Sequence, residues 1–253
     1  MDEPIPAYVN IPSITLNTNP SQGSSSSNIT DAWVYLDANL QGVYALPAEF
    51  PLIAEGTTRL VIYPGIKLNG ISATRAAYPF YTADTFDMTL EPKIADTIFP
   101  QVRYSSIAVF DFIEDFESGS GFSNIQRQTS EVFEGSASGK LVVTDSSEVT
   151  AVTVSGYIIP STTSAAFLEM DYRNNHVFEA GIRVLIGSQG FNIYKLTIAA
   201  RNEWNKLYVN FTPEVGQTQA DSYQIYFRTL PQPSPHSVEI YFDNLKLIHA
   251  KDQ

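Results

Sequence analysis

The chain is patterned as a long series of short strands. Apolar and polar positions alternate with a period of two in segment after segment, and β-branched and aromatic residues fill the apolar positions, as they do on a pleated, half-buried surface. In the first half, Ala32, Val34 and Leu36 alternate with Trp33, Tyr35 and Asp37, giving apolar character on both faces. Asp37-Ala38-Asn39 supplies a turn, and Leu40–Leu46 supplies the returning strand of a hairpin. Phe50–Gly56 reads as a glycine-ended loop and Arg59–Tyr63 as a further strand. Pro64-Gly65 and Asn69-Gly70 are turn signals, and Thr85–Leu90 and Gln101–Val109 close a first sandwich. The run at residues 20–28, Pro-Ser-Gln-Gly-Ser-Ser-Ser-Ser-Asn, is too polar to pack and reads as a flexible loop inside this first module.

The pattern changes around Phe110–Glu117, where an aromatic and acidic run meets Ser118-Gly-Ser-Gly121. A boundary near residue 111 follows, with modules at 1–110 and 111–253. Beyond it, strands are expected at Leu141–Thr144, Val149–Val154, Phe167–Arg173, Ala180–Ile186, Asn192–Ala199, Lys206–Phe211, Tyr223–Arg228 and Val238–Ile248. Eight strands in roughly 140 residues, separated by Gly, Pro and Asn turns, describe a sandwich of jelly-roll type. The fold class predicted is all-β: an Ig-like or prealbumin-like β-sandwich followed by a jelly-roll β-sandwich. A length of 253 residues accords with two such modules.

Charge and composition narrow the function classes. A formal net charge of −12 repels phosphate backbones and removes the electrostatic basis for nucleic-acid binding. With no cysteine there is no disulfide, zinc–thiolate site or thiol nucleophile in the chain. No apolar run approaches the ~20 residues that span a bilayer.

Candidate chemistry comes from sorting the later strands by parity. Leu207, Val209 and Phe211 alternate with Lys206, Tyr208 and Asn210; Tyr223, Ile225 and Phe227 with Gln224, Tyr226 and Arg228; Val238, Ile240 and Phe242 with Glu239, Tyr241 and Asp243. Earlier strands add Asp171, Arg173 and Arg183 to the polar set. If these strands share one sheet, Tyr208, Tyr226, Arg228, Asp171, Arg173 and Arg183 form one surface of aromatic rings beside planar charged groups. Sugar recognition uses that chemistry, since rings stack on pyranose C–H bonds and planar charged groups take paired hydroxyls. An antiparallel sheet with one wet face produces the same pattern without any ligand. Trp204 lies beside a turn and reads as a core plug, as does Trp33.

Three segments of the second half, Asp115-Phe-Glu-Ser-Gly119, Gly135-Ser-Ala-Ser-Gly-Lys-Leu141 and Tyr241-Phe-Asp-Asn-Leu-Lys-Leu247, together with Asn202–Pro213 around Trp204, resemble jelly-roll carbohydrate-binding modules. The resemblance covers nearly all of residues 112–249 and implies a polysaccharide partner. It further implies a structural Ca²⁺ held by Glu117 and Asp243 with the Glu134-Gly135 turn between them. Residues 30–65 resemble the small PEGA-like or prealbumin-like β-modules of envelope proteins. Met1-Asp2-Glu3-Pro4 resembles the start of a Bacteroidetes-type surface lipoprotein in which Met1 replaces the lipidated Cys. That resemblance implies a cell-envelope location, with membrane attachment only through an N-terminal lipid anchor absent from this chain.

Catalytic signatures are missing. Gly135-Ser-Ala-Ser-Gly139 puts Ala137 where a nucleophile elbow needs Ser, and His176, His236 and His249 are far apart in sequence. Glu169-Met-Asp171 opens the Glu-x-Asp-x-x-Glu run of jelly-roll glycosidases, but Asn174 stands where the last Glu belongs. The sequence therefore reads as a non-catalytic envelope protein that binds glycan through its second module. The alternative is a structural subunit of an envelope secretion, gliding or adhesion assembly, for which the aromatic Tyr78-Pro-Phe-Tyr81 loop is a candidate contact.

Overall fold

A computed structural model describes residues 5–54, 56–143, 148–229 and 238–251. The Met1–Pro4 segment and His236 lie outside the described residues. The chain forms two compact units, one of Met1–Ser21 and Ser27–Ser106, the other of Gln22–Ser26 and Ile107–Gln253.

In the first unit, β1 (Ala7–Ile11) lies between antiparallel β5 (Ala48–Leu52) and parallel β9 (Ala95–Thr97), and β2 (Thr15–Asn17) pairs in parallel with β10 (Gln101–Arg103). Its largest sheet runs β4 (Asn39–Ala45), β3 (Asp31–Leu36), β6 (Gly56–Lys67), β7 (Arg75–Ala77), with β8 (Asp84–Leu90) also on β6. The predicted β3–β4 hairpin forms, turning through Asp37 and Ala38 at φ 45 and 67. Paired positive φ angles match the right-handed twist of the flanking strands.

Three local expectations differ from the structure. Residues 48–52 form a strand, because Ala48, Phe50 and Leu52 face inward while Glu49 and Pro51 face out. Pro64-Gly65 lies inside β6 and makes no turn. The N–H that Pro64 lacks falls in the gap between β8, which ends opposite Ile62, and β7, which starts opposite Gly65. Tyr78, Phe80 and Tyr81 form no exposed contact loop, because their rings are buried and meet edge to face, with Tyr104 against Tyr81.

The second unit is a two-sheet sandwich. The larger, 6-stranded sheet runs β12 (Ile125–Gln128), β13 (Ser138–Leu141), β20 (Ile240–Ala250), β15 (Ala166–Asn174), β18 (Arg201–Asn210), with β11 (Ala108–Glu114) also on β20. The smaller runs β14 (Thr150–Val152), β19 (Ser222–Thr229), β16 (Phe178–Ile186), β17 (Gln189–Ile198). A short helix α1, Thr212–Gln217, joins β18 to β19. Between the sheets lies an apolar core that includes Leu168, Met170, Phe178, Ile182, Leu207, Val209, Phe227 and Phe242. Residues 108–109, expected to close the first sandwich, belong to β11, whose register against β20 carries Ala108 to Ala250 and Glu114 to Leu245.

Gly181 shows how tightly one face of this unit is built. A Cβ there would lie 2.2 Å from the Tyr226 ring and 2.3 Å from the Ile193 carbonyl oxygen. Gly181→Ala is expected to cost about 1–3 kcal/mol in urea unfolding, the usual penalty for overpacking. A cost within about 0.5 kcal/mol, typical of surface changes, would contradict this packing.

Candidate functional site

Strand parity on the larger sheet determines which side chains leave the core. On β15, Leu168, Met170 and Tyr172 pack inward, which turns Glu169, Asp171 and Arg173 outward. On β18, Leu207 and Val209 pack inward, so Trp204, Lys206 and Tyr208 share the outer face. On β20, Phe242, Leu245 and Leu247 are core, and the irregularity between them sends both Asp243 and Lys246 outward. Register then sets Asp171 opposite Asp243 on one side and Lys206 on the other, and Glu169 opposite Lys246 and Tyr208.

The middle of this face is charged and dry, with Glu169 and Lys246 at 0% exposure and Asp171 and Asp243 at 1%. Burying ionised groups is costly, and each has acquired partners. The ammonium of Lys206 lies 3.4 Å from Asp171 and 3.8 Å from Glu169. Asp243 accepts the backbone N–H groups of Phe133 at 3.3 Å, Glu134 at 3.2 Å and Asn244 at 2.9 Å. Glu134 accepts from the Asn244 amide at 3.1 Å and from the Ser24 hydroxyl. Ser26 donates its hydroxyl to Asp171 at 2.9 Å, and Lys246 donates to the Ser24 carbonyl at 2.5 Å. Residues 22–26 thus belong to this unit because their hydroxyls and carbonyl complete buried charges, contrary to the expectation of a loop within the first module. Burial pushes the Asp243 carboxyl up to about 7 and the Lys246 ammonium down to about 8. Burial also raises Asp171, against the pull of Lys206.

Toward the other end of the same strands the face opens. Arg173 forms an ion pair with Glu131 and donates to the Asn202 carbonyl at 2.6 Å. The Trp204 indole N–H donates to Glu131 at 3.0 Å, and the ring of Phe133, 42% exposed, lies 5.6 Å from that of Trp204. Arg173 and Trp204 together hold the Glu131 carboxyl below its ordinary range. On β13 and β20, Lys140 sits 5.2 Å over the Tyr241 ring, whose hydroxyl donates to Glu239 at 3.2 Å. Trp204 is therefore a partly exposed residue of the outer face and no core plug. Its parity with Lys206 and Tyr208 was the available signal.

The six expected ligand residues divide between two sheets. Asp171, Arg173 and Tyr208 lie on β15 and β18 of the larger sheet, whereas Tyr226, Arg228 and Arg183 lie on β19 and β16 of the smaller. Parity tells which side of a strand a residue occupies, but not which sheet the strand joins. Tyr208 and Tyr226 are only 1% and 2% exposed, so neither ring offers a stacking face. Arg228 pairs with Glu179, with Nε at 2.7 Å, and with Glu148 at 3.5 Å, and Arg183 reaches Asn192 at 3.3 Å.

The three carboxylates expected to hold calcium each accept hydrogen bonds from the protein. Glu117 accepts the N–H groups of Ser136 at 2.7 Å and Ala137 at 3.1 Å, while Asp243 and Glu134 take the donors described above. Among the described residues no group of three His, Cys, Asp or Glu is placed to hold a metal ion. Asn174, at the position where a glycosidase carries Glu, donates to the carbonyls of His176 at 2.8 Å and Ala199 at 3.1 Å.

The raised Asp243 carboxyl makes stability depend on pH. Its folded pKa exceeds the unfolded one, so its contribution is complete below pH ~4 and is lost as pH rises through about 7. Urea unfolding in chelator is expected to show wild-type stability falling relative to Asp243→Asn between pH 4.5 and 7.5. Parallel profiles for the two proteins would contradict the assignment.

No family model matches the chain, and no curated protein does. Among solved structures, a xylan-binding domain of family 22 shares 14% identity at TM-score 0.41, covering 56% of this chain and 95% of the other. A family 22 xylan-binding domain of Paenibacillus barcinonensis shares 10% at TM-score 0.43, covering 59% and 99%. A family 30 carbohydrate-binding module shares 11% at TM-score 0.41, covering 59% and 91%.

Proposed function

We propose that this protein is a non-catalytic glycan-binding protein of the cell envelope, and that its binding face is the outer side of the larger sheet in the second unit. The observation that carries the reading is the partly exposed Trp204, flanked by Phe133 and by the Arg173–Glu131 pair. An indole face offers apolar surface to the C–H side of a sugar ring, and guanidinium and carboxylate groups at its edge take hydroxyls. Sparse, fixed polar groups around an aromatic surface are the composition of small-ligand sites in general.

Charge narrows the glycan class. Along this face the acidic groups Glu131, Glu134, Glu169, Asp171 and Glu239 outnumber the cations Lys140, Arg173, Lys206 and Lys246, and Asp243 adds to them above pH about 7. Each of these cations already faces a carboxylate or carbonyl. A uronate-rich chain is repelled there, so the ligand is a neutral polysaccharide. The envelope location rests on the sequence resemblance of residues 30–65 to small β-modules of envelope proteins.

A docking subunit is the second reading, and β17 favours it. Among the described residues this strand pairs with β16 alone, and it exposes Phe191 and Tyr194 at that edge of the smaller sheet. An open edge of that kind accepts a strand from a partner.

Calorimetric titration of the full chain with soluble β-glucan, xylan and polygalacturonate separates these readings. Binding to a neutral polymer is expected, weakened about tenfold (~1.4 kcal/mol) or more by Trp204→Ala and unchanged by Arg183→Ala or by chelator. Neutral-polymer binding that survives Trp204→Ala would move the site elsewhere. Absence of any binding, with an envelope protein captured through β17, would favour the docking subunit.

A further inference from the structure

Residues 22–26 do more than fill space. We propose that this segment is a releasable strap, in which the chain's own serines occupy part of the glycan face until a long glycan displaces them. The inference rests on the glycan reading of the same face and adds a regulating element to it.

The contacts themselves resemble those of a polyhydroxylated ligand. The Ser26 and Ser24 hydroxyls donate to the carboxylates of Asp171 and Glu134, and the Ser24 carbonyl accepts from the Lys246 ammonium. A sugar offers the same groups, hydroxyl donors for carboxylates and oxygen acceptors for an ammonium. A face meant to stay covered is most cheaply built from apolar side chains, since buried charges cost free energy even when paired. Here the groups that the strap meets are Asp171, Glu134 and Lys246.

The strap is also built to leave. Gly23 to Ser26 carries no apolar side chain, and Gly23 has φ +68 with an added Cβ 3.0 Å from Ile113 and 3.4 Å from Lys246. It lies flat on the sheet because it has no side chain there, and releasing it exposes no apolar surface of its own. Position along the strands brings it into the path of a polymer. Asp171 and Lys206 sit two residues along from Arg173 and Trp204 on the same face, ~7 Å away at the rise of a strand. A single sugar seated on Trp204 leaves the strap in place, whereas a longer chain meets it.

Amide hydrogen exchange of the full-length wild type, with and without saturating cellohexaose or xylohexaose, tests this directly. The strap is expected to behave oppositely to an ordinary binding surface, with amides of residues 22–26 exchanging faster when the hexasaccharide is bound. Ser24→Ala/Ser26→Ala is expected to bind the hexasaccharide about tenfold tighter and the matching disaccharide as wild type does, because a closed state reduces apparent affinity by its population. Hexasaccharide binding with residues 22–26 equally or better protected, or with no gain in the double variant, would overturn the strap alone. If neither protein binds either sugar, the glycan reading falls and takes the strap with it.

Discussion

The structure of the second unit turns on ionisable side chains that have been taken out of water on the outer face of its larger sheet. Glu169, Asp171, Asp243, Lys206 and Lys246 are all buried there. Desolvating such groups costs several kcal/mol each unless partners replace the lost water. Lys206 therefore sits between Asp171 and Glu169, the 133–134 amides close on Asp243, and Ser24 and Ser26 close on Lys246 and Asp171. The last two arrangements draw two separate stretches of chain onto one sheet.

That requirement also positions the open end of the face. Because the amides of Phe133 and Glu134 are fixed on Asp243, the neighbouring Glu131 is delivered to Arg173 and Trp204, and the Phe133 ring is delivered to the indole. The smaller sheet shows the contrast. Its outer face pairs Arg228, about one-third exposed, with the buried Glu179 of the neighbouring strand and with the exposed Glu148, and only the second of these pairs sits where an ion pair is worth little.

Alternation along single strands was readable from the sequence, and the core positions Leu207, Val209, Ile225, Phe227, Ile240 and Phe242 follow from it directly. Partition between sheets was not readable, since Tyr208 and Tyr226 have the same parity but sit on strands β18 and β19 of different sheets. Pairing is a long-range choice that local pattern does not encode. Trp204 was visible as a large aromatic residue in phase with Lys206, yet its nearness to a turn argued for the core. The Ser-rich segment was the least legible element, because its placement is decided by Asp171, Glu134 and Lys246, all far away in the chain. In the first unit, Pro64-Gly65 carries turn chemistry but is absorbed into β6, where Gly65 makes room for Trp33, whose Nε1 would lie 2.7 Å from an added Cβ.

The chain contains two tryptophans, Trp33 and Trp204. In a Trp33→Phe protein, Trp204 reports alone, which makes its emission the most direct probe of the proposed face. Titration with a neutral oligosaccharide is expected to shift and saturate that emission with the same dissociation constant that calorimetry gives. Sugar binding detected by calorimetry while the Trp204 emission stays constant would contradict the account.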